Sequence, residues 1–364
     1  MPFEMDMRIP NAVSIKVAGI GGCGNNVVAR MMRSGVRSVD YVAINTDKQA
    51  LSVSEATHKV QIGEKLTSGM GAGSDPDVGR KSAEESRTII AKVLENTDML
   101  FVTAGMGGGT GTGAAPVIAD IAREMGILTV GVVTKPFPFE GARRMEQAEK
   151  GIEELRSRVD SLVIIPNERL KYVSETKITF LNAFEISDEV LRQAVQSISD
   201  LINEPGLINL DFADVSAVMK DAGYAHMGVG RAAGKGKAEE AARLAVQSPL
   251  LETSIDGAKG VLLNITGSPD ITLDEMELAA AQVQAAVHHN ANIIFGAAFD
   301  EKLQDEIKVT VIATGFDEKP MIVETPRAEQ VIVAAAIDTE TLKKESEDDP
   351  DDYNVLLSIF NKRK

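Results

Sequence analysis

The stretch Gly107-Gly-Gly-Thr-Gly-Thr-Gly113 decides how this chain is to be read. It follows an apolar strand pattern, Met99 to Ala104, and precedes a helical pattern from about Ala114 to Met125. Its backbone N–H groups can therefore face an anion at that helix's N-terminus. Five glycines in seven residues permit positive φ and close backbone approach. Thr110 and Thr112 add hydroxyl donors. The loop lies within an uncharged run of 21 residues, Met99 to Ala119, long enough to suggest a membrane span on length alone. Six Gly, three Thr and one Pro in that run would leave much of its backbone without regular helical hydrogen bonds in lipid, which excludes the span.

Two more glycine clusters lie upstream. Gly19-Ile-Gly-Gly-Cys-Gly24 has the G-x-G-x-x-G spacing between a strand, Ser14 to Ile20, and a helix, Asn26 to Ser34. Asp47 stands at the end of the next strand, Tyr41 to Asn45, where a ribose-binding acid is expected. Alone, this pair suggests a dinucleotide. The third cluster, Gly69-Met-Gly-Ala-Gly73, changes the balance. A dehydrogenase needs one phosphate turn, whereas several such loops imply a longer phosphate chain held by backbone. No Gly-x-x-x-x-Gly-Lys-Ser/Thr occurs, so the usual P-loop is excluded.

Composition narrows the class. The 364 residues carry 38 Lys and Arg against 54 Asp and Glu, a net charge of −16, which argues against a nucleic-acid binder. The length suggests two domains. The single cysteine, Cys23, cannot form an internal disulfide, so a reducing cytoplasm is the default. The opening MPFEMDMRIP lacks the apolar core of a signal peptide.

Strand and helix patterns alternate through the first half, with helices at Ser82 to Glu95 and Arg144 to Arg156 and strands at Leu128 to Thr134 and Ser161 to Ile165. Such alternation favours a parallel sheet covered on both faces. Phe184 to Asn203 reads as one long helix, stopped by Glu204-Pro-Gly206. Beyond it, helices at Ala238 to Gln247 and Leu273 to His288, and strands at Gly260 to Thr266, Ala291 to Ala298 and Ile307 to Ala313, read as an α+β unit. Thr272-Leu-Asp-Glu275 has capping-box spacing. From Asp338 to Asp352, eight acidic residues face only Lys343 and Lys344, the pattern of a solvated tail. Residues Tyr353 to Lys364 then turn apolar and basic, with Leu356 and Phe360, like Val355 and Ile359, on one helical face. They suit either a terminal helix docked on its own domain or a partner-binding motif on a tether.

With these motifs in order, the chain resembles the tubulin/FtsZ family, and in length and sequence order the FtsZ branch, the bacterial cell-division GTPases. The resemblance covers about Ile15 to Phe316. Besides residues 107–113, it rests on Ala43-Ile-Asn-Thr-Asp47, Thr134-Lys-Pro-Phe-Pro-Phe-Glu-Gly141, Ile165-Pro-Asn-Glu168 and Asn209-Leu-Asp-Phe-Ala-Asp-Val215. It implies an α/β, tubulin-like architecture: a GTP-binding domain over 14–183, a central helix at 184–204 and an α+β domain over 205–316. An N-terminal extension (1–13), an acidic linker (317–352) and a partner-binding peptide (353–364) would flank these.

By this resemblance Gly22, Cys23, Gly24, Asn25 and Asn26 border the α/β-phosphates, and Gly109, Thr110 and Gly111 hold the β/γ-phosphates. Ala72 and Gly73 sense the γ-phosphate, and Glu140 and Arg144 contact the ribose and phosphate side. Asn167 and Asp188 read the guanine edge, and Phe184 stacks on the ring. Gly21, Asn45, Asp47, Gly105, Gly107, Gly108, Thr112, Thr134 and Pro136 belong to the same GTP-binding set. A carboxylate accepts from guanine N1–H and N2–H2, a pattern adenine cannot offer. Asp211 and Asp214, three apart, read locally as a helix N-cap. The resemblance instead sets them, with Asn209, against the nucleotide of a neighbouring subunit, where they orient water for attack on the γ-phosphate. Magnesium would bridge the phosphates rather than occupy a protein cage, and His58, His226, His288 and His289 form no metal-site spacing.

The family reading also implies head-to-tail homopolymers, a membrane adaptor and division regulators on 353–364, and a position beneath the membrane at the division site. Three departures from the family pattern stand out: Cys23 in place of Gly or Ala, Ser74-Asp75 in a turn usually rich in Gly and Asn, and a terminal peptide without proline. Two rivals stay open: an NAD-dependent oxidoreductase built on Gly19 to Gly24 and Asp47, and a scaffold that assembles without hydrolysis. The oxidoreductase gives no task to residues 107–113 or to the Asp211/Asp214 pair.

Overall fold

The computed structural model describes residues 13–35, 39–172, 179–203, 211–248, 255–300 and 303–316. Asn209, nearly all of the N-terminal extension, the acidic linker and the terminal peptide lie outside the described residues. The first half runs β1 (Ile15–Ile20), α1 (Gly21–Arg33), β2 (Asp40–Asn45), α2 (Lys48–Ser52), β3 (His58–Gln61), α3 (Glu64–Thr67), α4 (Pro76–Glu85), α5 (Arg87–Val93), β4 (Met99–Gly105), α6 (Thr110–Glu124), β5 (Leu128–Lys135), α7 (Ala142–Arg156), β6 (Ser161–Pro166) and α8 (Phe180–Asn203). The second half runs α9 (Phe212–Met219), β7 (Gly223–Ala233), α10 (Lys237–Val246), β8 (Gly260–Gly267), α11 (Leu273–Gln284), β9 (Asn292–Phe299) and β10 (Glu306–Thr314).

The strands form one sheet in the order β3-β2-β1-β4-β5-β6-β7-β10-β8-β9. From β3 to β6 every pairing is parallel, as the alternation predicts. Strand β1 is buried along its whole length, the mark of a strand covered on both faces. Its alternating residues divide between two cores. Val17 packs with Phe101, Val28 and Leu191 on the face covered by α1 and α8, and Ala18 and Ile20 pack with Val102, Ile118 and Ile90 on the other.

The second half contains a strand that periodicity misses. Strand β7 joins the halves, pairing parallel with β6 through Ser161↔Gly223 and antiparallel with β10 along its length. Its sequence, Gly-Tyr-Ala-His-Met-Gly-Val-Gly-Arg-Ala-Ala, lacks a run of β-branched residues because α10 lies directly against it. A Cβ at Gly228 would stand 1.9 Å from the Ala245 carbonyl oxygen, and one at Gly230 the same distance from that of Ala241.

Other boundaries shift for local reasons. The helix expected over Ser82 to Glu95 is two helices that meet at Ser86, and it begins earlier, at Pro76, behind an Asp75 cap that accepts from Asp77 N. Helix α11 ends at Gln284 rather than His288, while its Thr272/Glu275 capping box forms as read, with Thr272 N donating to Glu275 at 2.9 Å. The helices α1 and α6 start at Gly21 and Thr110, so Gly21 to Gly24 and Thr110 to Gly113 form their first turns, while Gly107 to Gly109 remain a turn ahead of α6. Short elements α2, β3 and α3 carry too few residues for any period to show.

Candidate nucleotide site

The cradle lies where the strand order reverses: from β1 the chain adds β2 and β3 on one side, then crosses to place β4 on the other. The crevice at the carboxyl ends of two such strands is the ligand position of doubly wound sheets. Here it is lined by the first turns of α1 and α6, whose leading N–H groups have no acceptor within the helix and whose dipoles favour an anion. Gly21 and Gly107, at φ +70° and +94°, make the turns that aim these groups inward.

The three glycine clusters converge. A Cβ on Gly21 would stand 3.0 Å from the Gly111 nitrogen, and one on Gly109 would stand 2.9 Å from both the Ala72 Cβ and the Asp75 nitrogen. Residues 19–24, 69–73 and 107–113 therefore bound one space. Within it, Gly22, Gly73 and Gly108 have no heavy atom within 4 Å of where a Cβ would project, so open volume faces the backbone there. Backbone N–H donors around this open volume fit a polyphosphate.

Several predicted residues hold the cradle's shape. Asn25 and Asn45 are buried; in the amide orientation its neighbours select, Asn25 donates to the Gly19 and Gly21 carbonyls and accepts from Asn45 Nδ2 at 3.2 Å. Thr112 is also buried, and its hydroxyl accepts from Gly107 N at 2.8 Å, so it closes its own loop. Asp47 caps α2, accepting from Gln49 N and Ala50 N, and its neighbourhood ties down the third cluster, with Lys48 N donating to the Gly69 carbonyl. Gly105 sits against the Cys23 side chain, and Thr134 and Pro136 are buried beside it on β5 and its exit. Asn26 is exposed on α1.

A second group gathers at the far side of the cradle from α1, the turn after β5, the turn after β6 and α8. Glu140 accepts from Phe137 N at 2.8 Å and pairs with Arg144 at 3.0 Å. Phe184 is 42% exposed, and its ring meets that of Phe137 in a T-shaped arrangement at 5.6 Å. Asn167 is buried and accepts from the Ser187 hydroxyl at 2.7 Å. Asp188 meets the Cys23 thiol at 3.8 Å and lies 4.0 Å from Arg30. Burial raises the Asp188 carboxyl to about 6, against the opposing pull of Arg30 and Cys23 and with a smaller push from Glu185. Burial and the Asp188 charge push the Cys23 thiol up to about 12, so it remains an S–H donor. Arg30 was not foreseen; one arginine on an amphipathic helix carries no sequence signal that it meets Asp188.

Asp211 and Asp214 are brought together, in a reciprocal capping box: Asp211 accepts from Asp214 N at 2.7 Å, and Asp214 accepts from Asp211 N at 3.4 Å. They are not brought to the cradle. Phe212 and Ser216 of α9 line a cavity with Asp98, Leu128 and Asp160, which stand at the amino ends of β4, β5 and β6. The cradle is at the carboxyl ends, and β4 alone spans seven residues, roughly 20 Å of strand.

Among the described residues no group of three or more His, Cys, Asp or Glu converges to hold an ion, and no helix is long and apolar enough to cross a membrane.

Comparison with known proteins agrees with this geometry. Residues 14–175 match the model of the tubulin/FtsZ family GTPase domain, and residues 223–317 match that of the FtsZ family C-terminal domain. The FtsZ dimer of M. jannaschii is 44% identical, with 84% of this chain and 89% of that one covered at a TM-score of 0.80. More distant are a GTPγS-bound protofilament of CetZ2 from Haloferax volcanii (23% identity, 86% and 96% covered, TM-score 0.72) and the GDP-bound monomer of CetZ1 from the same organism (19%, 85% and 96%, 0.69), which share the fold. With a glycine cradle at the strand-order reversal, an acidic capping box at the opposite end of the sheet, and this extent of identity, the chain belongs to the FtsZ family of tubulin-like GTPases.

Proposed function

We propose that this protein binds GTP in the cradle and hydrolyses it only where copies meet head to tail, so that filament assembly and turnover are coupled. The observation that carries this reading is the separation of the Asp211/Asp214 pair from the cradle by the length of the parallel sheet. No side-chain motion spans that distance within one copy. A second copy stacked on the first would present its amino-end face to the open cradle. Such a contact joins two different surfaces and propagates as a filament, which fits the M. jannaschii FtsZ dimer and the H. volcanii CetZ2 protofilament.

In this arrangement the backbone N–H groups of residues 21–24 and 109–112 bind the phosphates, and Asn167 and Asp188 orient the base. The incoming Asp211 and Asp214, with Asn209, hold the attacking water. Magnesium fits as an ion carried on the phosphates, because the cradle's own donors are N–H and O–H groups; when bound, it would neutralise charge developing on the β- and γ-oxygens. The filament is read as that of the division ring, on the cytoplasmic side of the membrane, with residues 353–364 engaging the adaptor and regulators. The test is GTPase activity against protein concentration. A threshold below which specific activity vanishes is the expected result; activity strictly proportional to protein from the lowest concentrations would overturn the interface mechanism.

Asp188 makes the site pH-sensitive in a defined direction. Its carboxyl titrates near 6 in the free fold against an ordinary 3.8, so the folded protein binds a proton more readily than the unfolded chain between those values. The free fold therefore loses stability as pH rises from about 3.8 to about 6, and the loss is complete above that. Only the ionised form can accept from guanine N1–H and N2–H2 with both oxygens, because protonation turns one of them into a donor. GDP affinity is therefore expected to rise roughly tenfold per pH unit below about 6 and level off above it. Calorimetric titration across this range checks the slope, and a flat profile would remove Asp188 from base recognition.

A further inference from the structure

Ser187 immediately precedes Asp188 on α8, and nothing in the sequence gives it a task. It is 2% exposed, and its hydroxyl lies 2.7 Å from Oδ1 of Asn167, itself 5% exposed in the turn after β6. Among the described residues this is the one hydrogen bond that either side chain makes. The Asn167 Nδ2 is therefore left without an acceptor in a nearly closed setting, an arrangement that native proteins keep rare. A ligand that carries an acceptor would complete it.

The contact also fixes which way the amide faces. A helical serine commonly donates back to the preceding turn, as Ser82 does to the Val78 carbonyl at 2.7 Å. Ser187 makes no such bond, so Oδ1 of Asn167 is the acceptor its hydrogen has. Turning the amide over would set Nδ2 against the hydroxyl oxygen and strand that hydrogen in a buried position, which costs the full desolvation of the group. Asn167 is thus held with Oδ1 inward and Nδ2 as the atom on offer.

We propose that Ser187 is a positioning residue that locks Asn167 with its Nδ2 toward the base, so that the site reads the N1–H/N2–H2 donor pair through Asp188 and a flanking acceptor through Asn167. This rests on the reading of Asn167 and Asp188 as base-binding residues under the proposed function. The acceptors that flank the donor pair on guanine are O6 on one side and N3 on the other. A locked amide penalises a base without the acceptor, because Nδ2 then stays unpaired in the complex. Ser187→Ala removes the lock. The amide can then turn and offer Oδ1 instead, so a missing acceptor no longer strands a donor.

The experiment compares full-length wild type and Ser187→Ala by competition of GDP, 6-thio-GDP and 3-deaza-GDP against a fluorescent GDP analogue. The first competitor weakens the acceptor at position 6, the second removes the one at position 3, and both keep the donor pair. Wild type is expected to bind one of the two about tenfold more weakly than GDP, the effect of one unmade hydrogen bond, and the affected analogue identifies the acceptor. In Ser187→Ala that preference should fall to about threefold or less, while the pH dependence of GDP affinity set by Asp188 persists. A wild type that binds GDP and both analogues alike, or a Ser187→Ala preference equal to that of wild type, would overturn the proposal. If Ser187→Ala does not fold, Ser187→Cys decides it: the thiol is a weak donor of similar size, and an undiminished preference overturns the lock. Absence of any nucleotide binding by the wild type would instead defeat the proposed function itself.

Discussion

Replacing Asp214 by Asn is expected to lower GTP turnover by about 10²- to 10⁴-fold, the range for a positioned group that handles a proton or its water, while GTP affinity stays within about twofold. The asparagine side chain keeps an oxygen that can accept from Asp211 N, so the capping box and the start of α9 survive. Only the charge is lost. Alanine would also remove the reciprocal contact from Asp211 N, and would mix a folding effect with the catalytic one. Because Asp214 stands at the end of the sheet remote from the cradle, the Asn variant retains a working nucleotide site. Mixed with a partner whose cradle is defective but whose Asp214 is intact, it should recover part of its activity. Failure of the mixture to exceed the sum of its components would argue that each copy acts alone.

The second large effect separates two kinds of glycine in one motif. Gly113→Ala is expected to destabilise the protein by about 1–3 kcal/mol or more, as overpacking at a rigid contact does. A Cβ there would stand 1.9 Å from the Pro76 carbonyl oxygen and 2.6 Å from the Arg80 nitrogen, both backbone atoms of α4. Neither can move without parting two packed helices. Gly108→Ala, five residues earlier, meets no atom within 4 Å and should leave the thermal midpoint of the nucleotide-free protein unchanged. Its methyl would occupy the volume read as the phosphate position, lowering nucleotide affinity about tenfold or more, ~1.4 kcal/mol. Thermal unfolding with and without GDP distinguishes the two. Equal loss of stability from both substitutions would mean that the open volume at Gly108 belongs to the fold rather than to a ligand. Gly108→Ala is also the cradle-defective partner for the mixing experiment.

Legibility in the sequence followed the range of the interactions involved. Strands β1, β4, β5 and β6 are hydrophobic runs because they are buried on both faces, and they read to within a residue or two. Strand β7 escaped because Gly228 and Gly230 answer to the carbonyls of α10, a requirement no strand pattern contains. The boundary of α6 was placed several residues late for a related reason. Glycine is a poor helix former, yet residues 110–113 are helical because their packing against α4 and β4 outweighs that preference. Within the site, Gly107 to Gly113 were visible as a cradle. That Thr112 turns inward on Gly107 N while Thr110 meets the Thr46 hydroxyl was not, since both are threonines in the same loop.

The amino-acid sequence by itself determined an anion-binding α/β fold and an acidic helix cap at 211–214, because glycine spacing, hydrophobic period and capping chemistry act over a few residues. Only the tertiary structure decided which groups share a space. Cys23, Arg30 and Asp188 meet across more than 150 residues of chain, Thr46 meets Thr110 because β1 separates β2 from β4 in the sheet, and the acidic cap lies at the end of the sheet opposite the cradle. Strand order and direction set all three, and these arise from long-range pairing that no local pattern encodes.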